Sequence, residues 1–112
     1  MGVQYANNAS TLLTNGINNS VTSFDLDVVT SFPTLATPDD YMYLTIIGSG
    51  GVEIIKVTDI TGLTVTCVRG QDGTSALAAS AGDPVELRVT TATLRDQSDE
   101  NRGFAIAMGA AL

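Results

Sequence analysis

Residues 41 to 69, YMYLTIIGSGGVEIIKVTDITGLTVTCVR, decide the fold. Tyr41 to Ile47 is a β-branched and aromatic run, and it stops at Gly48-Ser49-Gly50-Gly51, a glycine-rich punctuation typical of a hairpin turn. Val52 to Asp59 then reads as the return strand. A second turn is expected at Asp59-Ile60-Thr61-Gly62, followed by a third strand over Leu63 to Arg69. In that third strand Leu63, Val65 and Cys67 share one face and Thr64, Thr66 and Val68 the other. The second face is only weakly polar, which suits a surface covered by a partner.

Working outward, Phe24, Leu26 and Val28 alternate strictly with Asp25 and Asp27 inside a candidate strand from Ser20 to Thr30. A period of two places the three apolar residues in the core and the carboxylates in water. Ser31 to Asp40 is a loop carrying two prolines. Gly70 to Asp83, rich in Gly, Ala and Ser, reads as a long irregular crossing with a helical turn expected at Ala76 to Ala79. Pro84 to Thr90 alternates again, with Val85, Leu87 and Val89 inward and Glu86 and Arg88 outward. Short strands at such regular spacing, broken by turn residues, predict an all-β fold, a small antiparallel sandwich or barrel. An extended N-terminal arm or edge strand (residues 1–19) precedes the β domain (20–94), and a short helical or extended tail (95–112) follows it.

Composition agrees with one folded domain. The chain has 112 residues, 44% of them hydrophobic and 15% charged, unlike a disordered sequence. Twelve acidic residues against five basic ones give a net charge of −7, and Lys56, Arg69, Arg88, Arg95 and Arg102 are scattered, so no nucleic-acid surface is expected. The N-terminus lacks the basic and apolar regions of a secretory signal, so synthesis in the cytoplasm is expected. The single cysteine, Cys67, sits in an apolar run and reads as a buried thiol.

The sequence has no histidine, which excludes Ser-His-Asp and Cys-His mechanisms and removes the commonest metal ligand. The carboxylates Asp25 with Asp27, Asp39 with Asp40, and Asp72 lack the spacing of a dedicated calcium loop and read as solvated charge or strand-edge protection. Gly48-Ser49-Gly50-Gly51 lies between two strands rather than between a strand and a helix, so it is a turn and not a phosphate cradle. No catalytic residue, cofactor or metal is expected. Gly103 to Leu112 is apolar throughout but only ten residues long, too short for a membrane span of about twenty. Such a segment either closes the core or forms a contact patch for another protein.

Five blocks follow one another in an order that carries a resemblance: Tyr5 to Thr11, Tyr41 to Thr45, Val52 to Thr58, Cys67 to Thr74 and Ala81 to Thr90. They resemble a β-rich module of the virion proteins of tailed bacteriophages, similar to the N-terminal region of tail-fibre proteins. The likeness covers Tyr5 to Leu94, and Arg69-Gly70-Gln71-Asp72-Gly73-Thr74 is its most specific piece. It implies a non-enzymatic role in the virion as a tail or tail-fibre anchoring module, or alternatively as a capsid decoration (cement) protein. The partners it implies are other tail, fibre or capsid subunits and further copies of the chain, with a trimer as one form. Candidate contacts are Tyr5, Asn7 and Asn8 in the arm and Phe104, Ile106, Met108 and Leu112 in the tail. Arg69 reads first as a structural brace, held by Glu53 or Glu86, with an intermolecular contact as the alternative. The chain ends at Leu112 with no shaft or receptor-binding region, so receptor binding is not expected of it.

Overall fold

The computed structural model describes residues 3–4, 9–88 and 90–100. Six strands form one antiparallel sheet: β1 (Ser10–Leu12), β2 (Ser23–Asp25), β3 (Met42–Gly48), β4 (Gly51–Thr61), β5 (Thr64–Gln71) and β6 (Pro84–Glu86). A single helix, α1 (Thr91–Glu100), follows. The spatial order is β1-β6-β3-β4-β5-β2. The sheet curls so far that the chain just beyond its two edges meets. Leu13 bridges Leu26, and Asp27 donates its N–H to Leu12 O at 3.0 Å. The protein is therefore all-β, a half-barrel closed on itself at one corner.

The alternation read from the sequence selects the face that lines the barrel. Met42, Leu44 and Ile46 of β3, Ile55 and Val57 of β4, Val65 and Cys67 of β5, and Val85 of β6 are fully or nearly fully buried in one cluster. Burying each of the larger apolar side chains is worth about 1.5–3 kcal/mol, and this inner face is the main source of stability. Leu13 and Leu26 plug the corner where the edges meet, and Phe24 and Phe32 complete the wall.

Several expectations shift. The run from Ser20 to Thr30 is a strand only over Ser23–Asp25, because β5 offers a partner only from Thr64 to Thr66. Phe24 and Leu26 are buried as the alternation requires, but Val28 lies beyond the pairing and is half exposed. The turn expected at residues 59–62 falls instead at Gly62-Leu63, with Thr61 paired to Thr64. Leu63 is consequently in the turn and exposed, not in the core. A register shift leaves Thr58 as the extra residue between the pairs Val57↔Cys67 and Asp59↔Thr66. That shift reverses the facing of β4 and keeps Ile60 packed on the core.

The helical turn expected at Ala76 to Ala79 is absent. Ala79 pairs with Ile17 through two backbone hydrogen bonds, so the crossing segment is pinned to the chain beyond β1. The last strand is short, Pro84–Glu86, although Leu87 still faces the core; Val89 lies outside the described residues. Of the segment expected as an N-terminal arm or edge strand, Ser10–Leu12 forms β1 at one edge of the sheet, and Ala9, Leu13 and Ile17 beside it are buried in the core. The C-terminal helix starts at Thr91, before the expected boundary at residue 95.

Candidate functional site

Arg69 and Glu53 form the most organised polar cluster of the described residues, and they lie on the core face at one end of the barrel. Glu53 is the inward residue of β4 opposite Ile46, and its side chain is 0% exposed. On β5 the pairs Ile54↔Gln71 and Lys56↔Val68 leave Arg69 and Gly70 together opposite Ile55, a bulge that turns the strand end over the barrel mouth.

Every donor of the guanidinium is used. Nε donates to Glu53 Oε2 at 2.8 Å and Nη2 to Glu53 Oε1 at 2.8 Å, a bidentate fork. Nη1 donates to the carbonyls of Asn18 at 2.9 Å and Val21 at 2.7 Å, and Nη2 also donates to Leu77 O at 2.7 Å. Each Glu53 oxygen accepts one further bond, from Gly70 N at 2.9 Å and from Leu77 N at 3.0 Å. The cluster joins β4, the end of β5, the loop before β2 and the long crossing. Burial pushes the Glu53 carboxyl up, but Arg69 and the two backbone N–H groups outweigh it and hold its pKa below the usual carboxylate range. Arg69 is correspondingly more basic than a free arginine, chiefly through its hydrogen bonds to Glu53.

The rest of the Arg69–Thr74 block serves the same junction. Gly70 takes φ 60°, and a Cβ there would stand 3.3 Å from both Ala76 N and Thr74 O. Asp72 and Gly73 are also left-handed, at φ 54° and 80°, and they reverse the chain after Gln71. Thr74 donates its hydroxyl to Gln71 O at 2.6 Å and accepts Ile54 N at 2.9 Å. Glu86, the other acid considered as a partner of Arg69, stands opposite Thr45 on the outer face and pairs with Arg88 at 2.8 Å instead.

The outer face of the sheet carries a second cluster. Tyr43 is buried against Val3, with Tyr41 and Ile54 packed beside them. The tyrosine rings meet edge to face at 5.7 Å, the Lys56 ammonium lies 4.3 Å over the Tyr41 ring, and both hydroxyls donate to Asp96 Oδ2 of α1 at 2.7 Å. Further along this face Val52 and Val68 are about half exposed. Among the described residues the outer face is thus covered over β3 and the adjoining Ile54 and Lys56, while Val52 and Val68 remain about half exposed.

The paired carboxylates do not converge. Asp25 accepts the Thr64 hydroxyl at 2.6 Å, Asp27 accepts the Thr14 hydroxyl at 2.7 Å, and Asp40 Oδ2 caps the N–H groups of Ala36 and Thr37. Among the described residues no group of three or more metal-ligating side chains comes together. A shallow depression of about 390 Å³ lies between Asn15, Asn18, Ser23, Asp25 and Thr64. Cys67 is buried, and burial pushes its thiol up to about 11. The hairpin glycines do form a turn: Gly48 pairs with Gly51, which takes φ 136°. Tyr5, Asn7, Asn8, Phe104, Ile106, Met108 and Leu112 lie outside the described residues. The Asp96 contact was missed because its tyrosines precede it by 55 and 53 residues, with no local spacing to announce it.

No family model matches the chain, and a search of curated proteins returns no match.

Proposed function

We propose that this protein is a non-enzymatic structural component of a tailed-phage virion, attached to the particle as a tail or tail-fibre anchoring module. The reading rests on the sequence resemblance, and one structural observation supports it most. The most specific block of that resemblance, Arg69–Thr74, is used throughout in an internal brace that ties four chain segments together. The likeness is then one of scaffold, as expected for a module whose work is to be a rigid body between neighbours.

Association proceeds through the N-terminal arm around Tyr5, Asn7 and Asn8, the tail around Phe104, Ile106, Met108 and Leu112, and the outer face around Val52 and Val68. The partners are other virion subunits and further copies of this chain, in a closed symmetric ring or trimer. The half-exposed valines on the outer face of the curled sheet suit protein contact of ordinary apolar character.

The test is the copy number of the protein in purified particles, by quantitative mass spectrometry against the major capsid protein. A small multiple of three or six is expected for a tail part. A count in the hundreds would assign it to capsid decoration instead, and absence from the particle would overturn the virion reading.

A further inference from the structure

Helix α1 is poorly suited to stand by itself. It has ten residues, fewer than the ~12–15 at which isolated helices become even marginal in water. Two of them, Thr91 and Thr93, are β-branched, and its last turn has no basic residue, the kind the helix dipole favours there. Among the described side chains its strong local device is the N-cap, where the Thr90 hydroxyl accepts Thr93 N–H at 3.1 Å. Nor does Leu94 supply an apolar seam, since it is 55% exposed. Among the described side chains, what seats the helix is Thr93, buried at its start, and one carboxylate oxygen: Asp96 Oδ2 accepts both Tyr41 and Tyr43 hydroxyls at 2.7 Å.

The seat, by contrast, belongs to the sheet. Tyr43 is paired in register with Lys56 of β4 and packed on Val3, and the two rings brace each other edge to face. Loss of the helix removes the two Tyr–Asp96 hydrogen bonds from the seat and leaves the pairing of β3 with β4 and β6 in place.

We propose that α1 is a strap that opens and closes on the outer face of β3 as a unit of its own, latched by Asp96 on the Tyr41–Tyr43 pair, while the six-stranded sheet stays folded. The proposal stands apart from the virion reading. Within that reading it makes α1 the segment able to leave the sheet for a neighbour without unfolding the module. Local opening of this kind is expected where few apolar contacts and a small number of polar ones hold an element.

Native-state hydrogen exchange on the full chain tests it. The amides of residues 94–100 should exchange together through an opening at least tenfold more frequent than that of β3 to β5. Asp96→Ala should raise their exchange a further ~10- to 100-fold, the effect of losing hydrogen bonds to a charged acceptor, and leave the β3–β5 amides unchanged. Tyr41→Phe and Tyr43→Phe, each deleting one donor, should fall between. The proposal is overturned if the α1 amides exchange only as slowly as the sheet, or if Asp96→Ala accelerates sheet and helix alike. The Tyr→Phe variants keep the rings and hence the packing, so a null effect of both on α1 exchange would also sink it.

Discussion

Replacing Arg69 by leucine removes all five guanidinium hydrogen bonds at once: two to Glu53 and three to the carbonyls of Asn18, Val21 and Leu77. Glu53 stays buried and ionised with only the Gly70 and Leu77 N–H groups to hold it. Breaking a buried pair from one side typically costs about 3–5 kcal/mol. A domain of this size has only about 5–15 kcal/mol in total, so Arg69→Leu should lower Tm by on the order of 12–40 °C. Glu53→Leu should cost a similar amount, since it strands a guanidinium.

The informative variant is the double one. A simple buried ion pair replaced by apolar residues is often neutral. Here the double replacement still leaves two N–H groups and three carbonyls without their partners, each worth about 1–3 kcal/mol if water does not reach it. We therefore expect Glu53→Leu/Arg69→Leu to remain at least ~2 kcal/mol below the wild type. Urea unfolding followed by far-ultraviolet circular dichroism, which does not depend on tryptophan, measures all three variants. A double variant as stable as the wild type, or a loss below ~1 kcal/mol for Arg69→Leu, would refute the view that the cluster is a backbone-organising brace.

Other expectations follow from the same geometry. Gly70→Ala forces a side chain into φ 60° with its Cβ 3.3 Å from two backbone atoms, and should destabilise by at least ~1–2 kcal/mol in the same unfolding assay. Because the Glu53 pKa is depressed in the folded state, its contribution is fully present above the unfolded carboxylate value near ~4.3 and is lost as pH falls through the lower folded value. Acid unfolding of the wild type should show that loss, and Arg69→Leu should shift the acid transition to higher pH. Tyr43 faces Asp96 and Arg95 of α1, with Tyr41 and Lys56 beside it. Burial, aided by Asp96, pushes its hydroxyl from 10.0 up to about 12, so the contribution of Tyr43 to helix docking is fully present below pH 10 and is lost as pH rises through about 12. Ultraviolet titration of tyrosinate should show this late-titrating group move toward the ordinary value in Asp96→Ala. Cys67, 3% exposed with its thiol at about 11, should react with thiol reagents only as fast as the sheet opens, so its labelling rate should track denaturant-induced unfolding.

The brace was half legible in the sequence. The glycines flanking Gln71-Asp72 announced a strand end needing left-handed backbone, and Arg69 at that end called for a buried acid. Glu53 and Glu86 were equivalent candidates, because each sits in an alternating strand with no local feature to choose between them. Strand order makes the choice. β6 lies beyond β3 and presents Glu86 outward opposite Thr45, while β4 beside β5 presents Glu53 inward. The run from Phe24 to Val28 had sound alternation and yet ends as a three-residue strand, since strand length depends on a partner elsewhere in the chain and β5 pairs with only three of its residues.

By itself the sequence determined the β class, the hairpin at Gly48 to Gly51 and the identity of most of the core, because a period of two in apolar residues is local information. It also determined which segment needed glycine backbone. Only the tertiary structure decided that the sheet curls until Leu13 meets Leu26, that Thr58 is the extra residue which keeps Ile60 inward, and that Asp96 rather than any nearer acid closes on Tyr41 and Tyr43. These are pairings between residues far apart in the chain. Their energies depend on register and curvature that no short window of sequence contains.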